Sequence, residues 1–402
     1  MTRFYTALMA VFICFAMTSC GVQDDFADAE IENDLVETIV PKVNLPEISQ
    51  EHEPDSDIQE EYTDSVTGII LEIISEMTIE ERVGQMFLAQ LPHSSAAQRA
   101  GEWALGGYLL FAHDFEGLTK SEVIANIQGY QRYSRIDMFF AVDEEGGTVN
   151  RVSRNTALRD TPFLSPQQLF ELGGFELIAE DTAEKAVLLR SLGINLNLAP
   201  VADVSTDRRN FIHPRSFGQD AGKTAEYVRT VVEVMREKGI GSALKHFPGY
   251  GDNADTHFTA AHDSRPIEVF WSSDFIPFIA GIEVGADMVM VSHVVVESID
   301  PELPASLSPA VIRILREKLG FDGVIITDDL AMGAVDRLIP STSDYSIAVL
   351  AVLAGNDMII TADFERQITD ILTAIENGVI SENMINEAIF RILRLKIQLG
   401  VV

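Results

Sequence analysis

Residues able to move protons and bind polar groups gather in one stretch, Lys245-His246-Phe247-Pro248-Gly249-Tyr250-Gly251, with Asp255-Thr256-His257 close behind. A short apolar β-type run, Gly241-Ser242-Ala243-Leu244, precedes it, so a cation and an imidazole fall where a strand ends. Two glycines and a proline then bend the backbone away, and the loop returns with an Asp-x-His pair. In such a pair the carboxylate accepts a hydrogen bond from one ring nitrogen and supports the imidazolium, so His257 is the natural proton handler. A second apolar run, Gly323-Val324-Ile325-Ile326-Thr327, delivers Asp328, which as a carboxylate can be a nucleophile, a base or a metal ligand. Asp329 is its rival, and one of the two can instead cap the next helix; the strand-end position favours Asp328. A protonated His facing a carboxylate across a sugar ring can perform retaining glycoside hydrolysis. His257 would donate to the leaving oxygen, Asp328 would attack the anomeric carbon, and neutral His257 would then activate water. The same residues can be read as a metal site, but no tight His-x-x-x-His or Cys pair supports that. No metal is expected.

These side chains need a scaffold that brings strand ends to one face. Candidate strands are Val83–Ala89, Gly106–Phe111, Met138–Val142, Ile194–Ala199, Ser242–Lys245, Met288–Ser292, Val324–Thr327 and Met358–Thr361. The first of them can equally extend a helix. Between them lie stretches of helical period such as Ser121–Tyr133, Lys223–Lys238, Pro309–Leu319 and Ser346–Ala354, and Ser381–Gly400 reads as a closing helix. Strands alternating with helices imply parallel βαβ units. Eight such strands predict an α/β fold, a single (β/α)8 TIM-type barrel, over an open doubly wound sheet. On that map Asp143 ends the third strand, Asp203 follows the fourth and Lys245-His246 end the fifth. His293 ends the sixth and Asp328 the seventh. Any one of them can be a cap or a satisfied core group; polar residues from five strands on one rim make a site.

The ends of the chain are of other materials. Arg3 is followed by the apolar run Ala7–Ala16 and by Met17-Thr18-Ser19-Cys20, which resembles a bacterial lipoprotein signal with Cys20 as the lipidated residue. The only cysteines, Cys14 and Cys20, lie in this segment, so the rest has no thiol nucleophile and no disulfide. Gly21 to about Val66 holds fifteen Asp or Glu against the single Lys42, with prolines at 41, 46 and 54. Such a segment buries too little to fold and is extended by its like charges. The expected organisation is a signal peptide over 1–20, an acidic disordered tether over 21–66 and a catalytic domain over 67–402. An exported, membrane-anchored protein of the cell envelope is expected, acting as a monomer. The formal net charge of −33 argues against nucleic acid as a partner.

The folded part, from about Leu71 to Val402, resembles glycoside hydrolase family 3, in its bacterial β-N-acetylglucosaminidase branch. The resemblance rests on Val142-Asp143-Glu144-Glu145-Gly146-Gly147, Asn197-Leu198-Ala199-Pro200-Val201-Ala202-Asp203, Arg215-Ser216-Phe217-Gly218, the Lys245 to His257 block and Ile326-Thr327-Asp328-Asp329-Leu330-Ala331-Met332. It implies Asp328 as nucleophile and Asp255 with His257 as an acid/base dyad. Asp143, Arg151, Arg215, Lys245 and His246 match positions that hold sugar hydroxyls, by charge-assisted hydrogen bonds. It also implies a carbohydrate substrate, no cofactor, and a chain without the second α/β sandwich domain of many relatives. Release of terminal N-acetylglucosamine from peptidoglycan fragments or related glycosides is the implied activity. Another β-glycosidase specificity, a phosphorylase, or a catalytically impaired sugar-binding lipoprotein are the alternatives. Three departures stand out: Thr148 where relatives usually carry Arg, Tyr250 where they carry His, and a loop between Lys245 and His257 one residue shorter than expected.

Overall fold

Eight short apolar runs pair side by side, every pair parallel, and close into a barrel. The computed structural model describes residues 56–251, 253, 261–331 and 344–402. The barrel strands are β1 (Phe87–Gln90), β2 (Gly107–Leu110), β3 (Phe139–Val142), β4 (Leu196–Asn197), β5 (Gly241–Phe247), β6 (Met288–Val291), β7 (Val324–Asp329) and β8 (Met358–Thr361). β1 pairs with β8 and each remaining strand with its neighbours in sequence, as the (β/α)8 expectation requires. Most strand residues are buried, because helices cover the outer face and side chains fill the inner one. Among the described residues no helix is long and apolar enough to cross a membrane.

Two boundaries differ from the sequence reading. Val83 to Gln85 belong to the helix Ile79–Gln85, so β1 starts at Phe87. A reciprocal cap explains this: Thr78 Oγ1 accepts the Glu81 N–H while the Glu81 carboxylate accepts the Thr78 N–H. β4 is only two residues long, and Pro200, which lacks an N–H, follows just beyond it. At the other end of the domain, the helix Ser56–Glu76 runs across the tether boundary expected at residue 66. Ile70, Ile74 and Met77 are buried there at helical spacing. Counting charge alone overlooks this apolar stripe. Residues 1–55, with Cys20 and most of the expected tether, lie outside the described residues.

The N-terminal rim of the barrel is stapled by side chains that stand just before the even strands. Asn195 Oδ1 accepts the Phe140 N–H of β3 at 2.8 Å, Asp287 Oδ2 accepts the Ser242 N–H of β5 at 2.9 Å, and Asp357 Oδ2 accepts the Ile325 N–H of β7 at 2.7 Å. Each staple ties an even strand to the odd strand before it. The same rim buries Lys396, whose Nζ donates to Gln85 Oε1 at 2.6 Å and the Asp137 carbonyl at 2.7 Å, 5.1 Å from the Phe139 ring centre. Burial pushes this ammonium down to about 7.

Because the folded protein then binds fewer protons than the unfolded chain between about pH 7 and the ordinary lysine value, stability should rise with pH across that window. In urea unfolding, wild type should gain about 1–3 kcal/mol relative to Lys396→Met between pH 7 and 9.5. A pH-independent difference between the two would refute this account of Lys396.

Candidate active site

β5 and β7 each carry one residue too many. Leu244 pairs with Val289 and Phe247 with Val291, so three steps along β5 match two along β6. Ile326 pairs with Met358 and Asp329 with Ile360, so β7 is likewise one residue longer than β8. Successive side chains on a regular strand point to opposite faces, and a bulge re-aims them. The extra residues fall at Lys245–His246 and at Thr327–Asp328. As a result Lys245, His246 and Asp328 all line one cavity of about 320 Å³ at the C-terminal mouth of the barrel. Asp143, Arg151, Arg215 and Asp329 add charge to its wall, and Phe111, Phe211 and Met290 add apolar surface.

Three consecutive acids at the end of β3 take three separate tasks. Asp143 faces the cavity, and its Oδ1 lies 2.6 Å from Lys245 Nζ. Glu144 turns inward and accepts the backbone N–H groups of Arg151, Val152 and Ser153 at 2.7–3.1 Å, folding the loop that carries Arg151. Glu145 reaches Lys245 Nζ at 2.6 Å from the other side and accepts both Nε and Nη2 of Arg215, at 3.0 and 2.7 Å. Burial alone would raise the Glu145 carboxyl; Arg215 and Lys245 outweigh it and hold the group well below the usual carboxylate range. The turn that follows requires glycine. Gly146 has φ +100° and a Cβ there would sit 2.2 Å from the Leu164 carbonyl oxygen.

His246 is held from both sides. Its Nδ1 lies 2.8 Å from Asp203 Oδ2, and its Nε2 lies 3.3 Å from Arg215 Nη2. A guanidinium can only donate, so Nε2 accepts and the ring proton sits on Nδ1, directed at Asp203. Asp203 also accepts the backbone N–H groups of His246 and Tyr250. Tyr250, buried, sets its ring edge-on to His246 at 5.2 Å and against Phe211 at 5.7 Å. It thus supports the imidazole as a wall. Thr148 stands exposed in the turn after Gly147 and does not line the cavity.

The two neighbouring carboxylates of β7 both line the cavity. Asp329 Oδ1 accepts the Ala331 N–H at 2.9 Å and its Oδ2 accepts from the Gln90 side chain at the end of β1. Asp328 Oδ1 accepts the adjacent Asp329 N–H at 2.8 Å. His293, expected on the rim, is fully buried between the Ser306 hydroxyl and the Asp329 carbonyl, and is not part of the cavity.

Asp255 and His257 lie outside the described residues. The chain on either side of them is tied down. Asn253 donates to the Tyr250 carbonyl and to Asp263 Oδ2, while Arg265 bridges the buried carboxylates of Asp263 and Asp274 at 2.8 and 3.0 Å. Gly249, with φ +121°, fits because a Cβ would meet Asp274 Oδ1 at 2.5 Å. Sequence reasoning placed Asp143, Arg151, Arg215, Lys245, His246 and Asp328, and the structure brings those six to one cavity. It gave no role to Glu145 or to the aromatic wall, and left Asp203 as a rim acid. A run of three acids after a strand was the available signal for Glu145.

A barrel with this set of charges at its mouth is the framework of a sugar-cleaving enzyme, and the comparisons agree. Residues 78–395 match the Glycosyl hydrolase family 3 N terminal domain, and the chain belongs to that family. A Beta-hexosaminidase of Xanthomonas campestris is 35% identical over 236 residues, covering 58% of this chain and 70% of that one. A Beta-hexosaminidase of Methylococcus capsulatus is 34% identical over 279 residues, covering 68% of this chain and 80% of that one. Among solved structures, a glycoside hydrolase family 3 beta-N-acetylglucosaminidase from Paenibacillus superposes with a TM-score of 0.74 at 32% identity, over 81% of this chain and 63% of that one.

Glu145, itself buried, is the shared partner of the buried Lys245 and the part-buried Arg215, so its loss should cost more than that of an exposed charge. Glu145→Ala should lower the unfolding free energy by about 3–5 kcal/mol, against under 1 kcal/mol for Glu184→Ala, whose carboxylate pairs with Arg159 at the surface. Urea unfolding at pH 7 measures both; equal effects would show that the pair is not the cost.

Proposed function

We propose that this chain is a retaining exo-β-N-acetylglucosaminidase that releases terminal N-acetylglucosamine from peptidoglycan fragments or related glycosides. The observation that carries the reading is one small cavity in which Asp328 shares the walls with Asp143, Lys245, Arg215 and His246, the lysine and the arginine being joined behind the wall by Glu145. A volume of about 320 Å³ is at the small end of ligand pockets, which suits a single terminal sugar over an internal segment of glycan. Lys245, Asp143 and Arg151 supply charged donors and acceptors for ring hydroxyls, already paired and fixed before a ligand arrives.

In this reading the Asp328 carboxylate attacks the anomeric carbon and forms a glycosyl ester, as the glycosidic bond breaks. His257, supported by Asp255, gives its proton to the departing oxygen. Neutral His257 then takes a proton from water as that water attacks the anomeric carbon, and the bond from that carbon to the Asp328 oxygen breaks, freeing the carboxylate. The two-step course returns the sugar with its starting configuration. Cys20 carries the lipid anchor, and the acidic segment behind it holds the barrel away from the membrane surface.

Asp328→Asn should abolish nearly all turnover of an aryl β-N-acetylglucosaminide, by about 10³-fold or more in kcat. Near wild-type turnover in that variant would overturn the assignment. Asp255→Asn should slow sugar transfer to the enzyme by about 10²-fold, seen as the rate of leaving-group release in a single turnover. Labelled palmitate should enter the wild-type chain and not Cys20→Ala in a lipoprotein-processing host; labelling of both would refute the anchor at Cys20.

A further inference from the structure

The charge chain accounts for one sugar and leaves open what meets the group on the other side of the bond. The cavity wall formed by Phe111 leads outward to a line of rings. Phe111 leaves β2 partly buried, and His113 lies parallel to it, with 5.9 Å between ring centres and 4° between planes. His93, from the segment after β1, follows at 5.9 Å from His113 and tilted by 46°. The line runs from the partly buried Phe111 in the cavity wall to two exposed imidazoles, His113, whose side chain is 56% exposed, and His93.

This line is built rather than incidental. The turn Ala112–Asp114 is closed by Asp114 Oδ2, which accepts the Phe111 N–H at 2.7 Å. The other oxygen of Asp114 lies 3.4 Å from His113 Nε2, on the imidazole that runs parallel to the phenyl ring. On the inner side the Arg151 guanidinium stands 5.8 Å from the Phe111 ring centre and 3.9 Å from Asp143. Phe111 therefore joins the charges of the inner cavity to the exposed imidazoles. β1 and β2 are adjacent strands, and both segments leave at the C-terminal mouth.

Flat rings with electron-rich faces attract the weakly positive C–H groups of a pyranose, and imidazole edges exchange hydrogen bonds with its hydroxyls. Resting on the glycosidase reading above, we propose that Phe111, His113 and His93 form a leaving-group subsite that stacks a second pyranose ring, the one released on cleavage. Selectivity for a sugar over a small alcohol on that side then resides in the segments after β1 and β2, apart from the residues that hold the terminal sugar.

The test compares two probes in Asp328→Asn protein, which leaves both uncleaved: methyl β-N-acetylglucosaminide and N,N′-diacetylchitobiose, which differ in the leaving-side ring. Titration calorimetry should show the disaccharide binding more tightly. His113→Ala should weaken the disaccharide about five- to tenfold and leave the methyl glycoside within twofold. His113→Phe, which keeps a planar face, should restore most of the preference. Equal weakening of both probes, no preference before substitution, or no rescue by Phe would overturn the subsite alone. Failure of both probes to bind would overturn the terminal-sugar reading and the subsite with it.

Discussion

A lysine ammonium buried at the mouth of the barrel sets the terms for everything around it. Lys245 is 1% exposed, and an unpaired charge there would cost several kcal/mol. Asp143 and Glu145 flank it at 2.6 Å each. Two carboxylates for one cation leave a deficit, which Arg215 corrects through both oxygens of Glu145. Arg215 in turn faces His246, and that contact directs the imidazole proton toward Asp203. Each residue in the chain is explained by the one before it. The starting point is the strand that carries Lys245 inward.

Such a network is assembled during folding, before any ligand is present. Donors fixed in a low-dielectric site need no rearrangement when polar groups enter, and this is how electrostatic preorganisation contributes to catalysis. The same logic governs the approaches. Glu144 folds the Arg151 loop through three backbone N–H groups, and Arg265 clamps two buried carboxylates beside the segment that carries the Asp-His pair in sequence. Burial raises the Asp274 carboxyl to about 6 even with Arg265 beside it, so this clamp keeps its full charge only above that pH.

Much of this was legible in the sequence, for identifiable reasons. Asp143, Lys245, His246 and Asp328 follow apolar runs directly, and a polar residue at a strand end is visible without a structure. Arg151 and Arg215, in loops, were placed through the family resemblance. Glu145 and Asp203 act through partners far along the chain, on Lys245 and His246, and no local pattern announces that. The bulges were invisible for another reason: strands buried on both faces show no alternation whose interruption would mark an extra residue. The helix before the barrel was missed because its first turns carry Asp57, Glu60, Glu61 and Asp64, while the buried Ile70 and Ile74 lie past the boundary that charge sets.

The bulges have one further consequence. Lys245, His246 and Asp328 reach the cavity because β5 and β7 each hold one residue more than the strand beside them. Removing a residue there would reverse the facing of what lies beyond it, while leaving every side-chain identity intact. The inventory of charges at the mouth can therefore drift by point substitution, one hydroxyl contact at a time. Its aim cannot, because it is written in the number of residues between two hydrogen-bonded neighbours. Descendants of this chain are free to change what they recognise sooner than where they look for it.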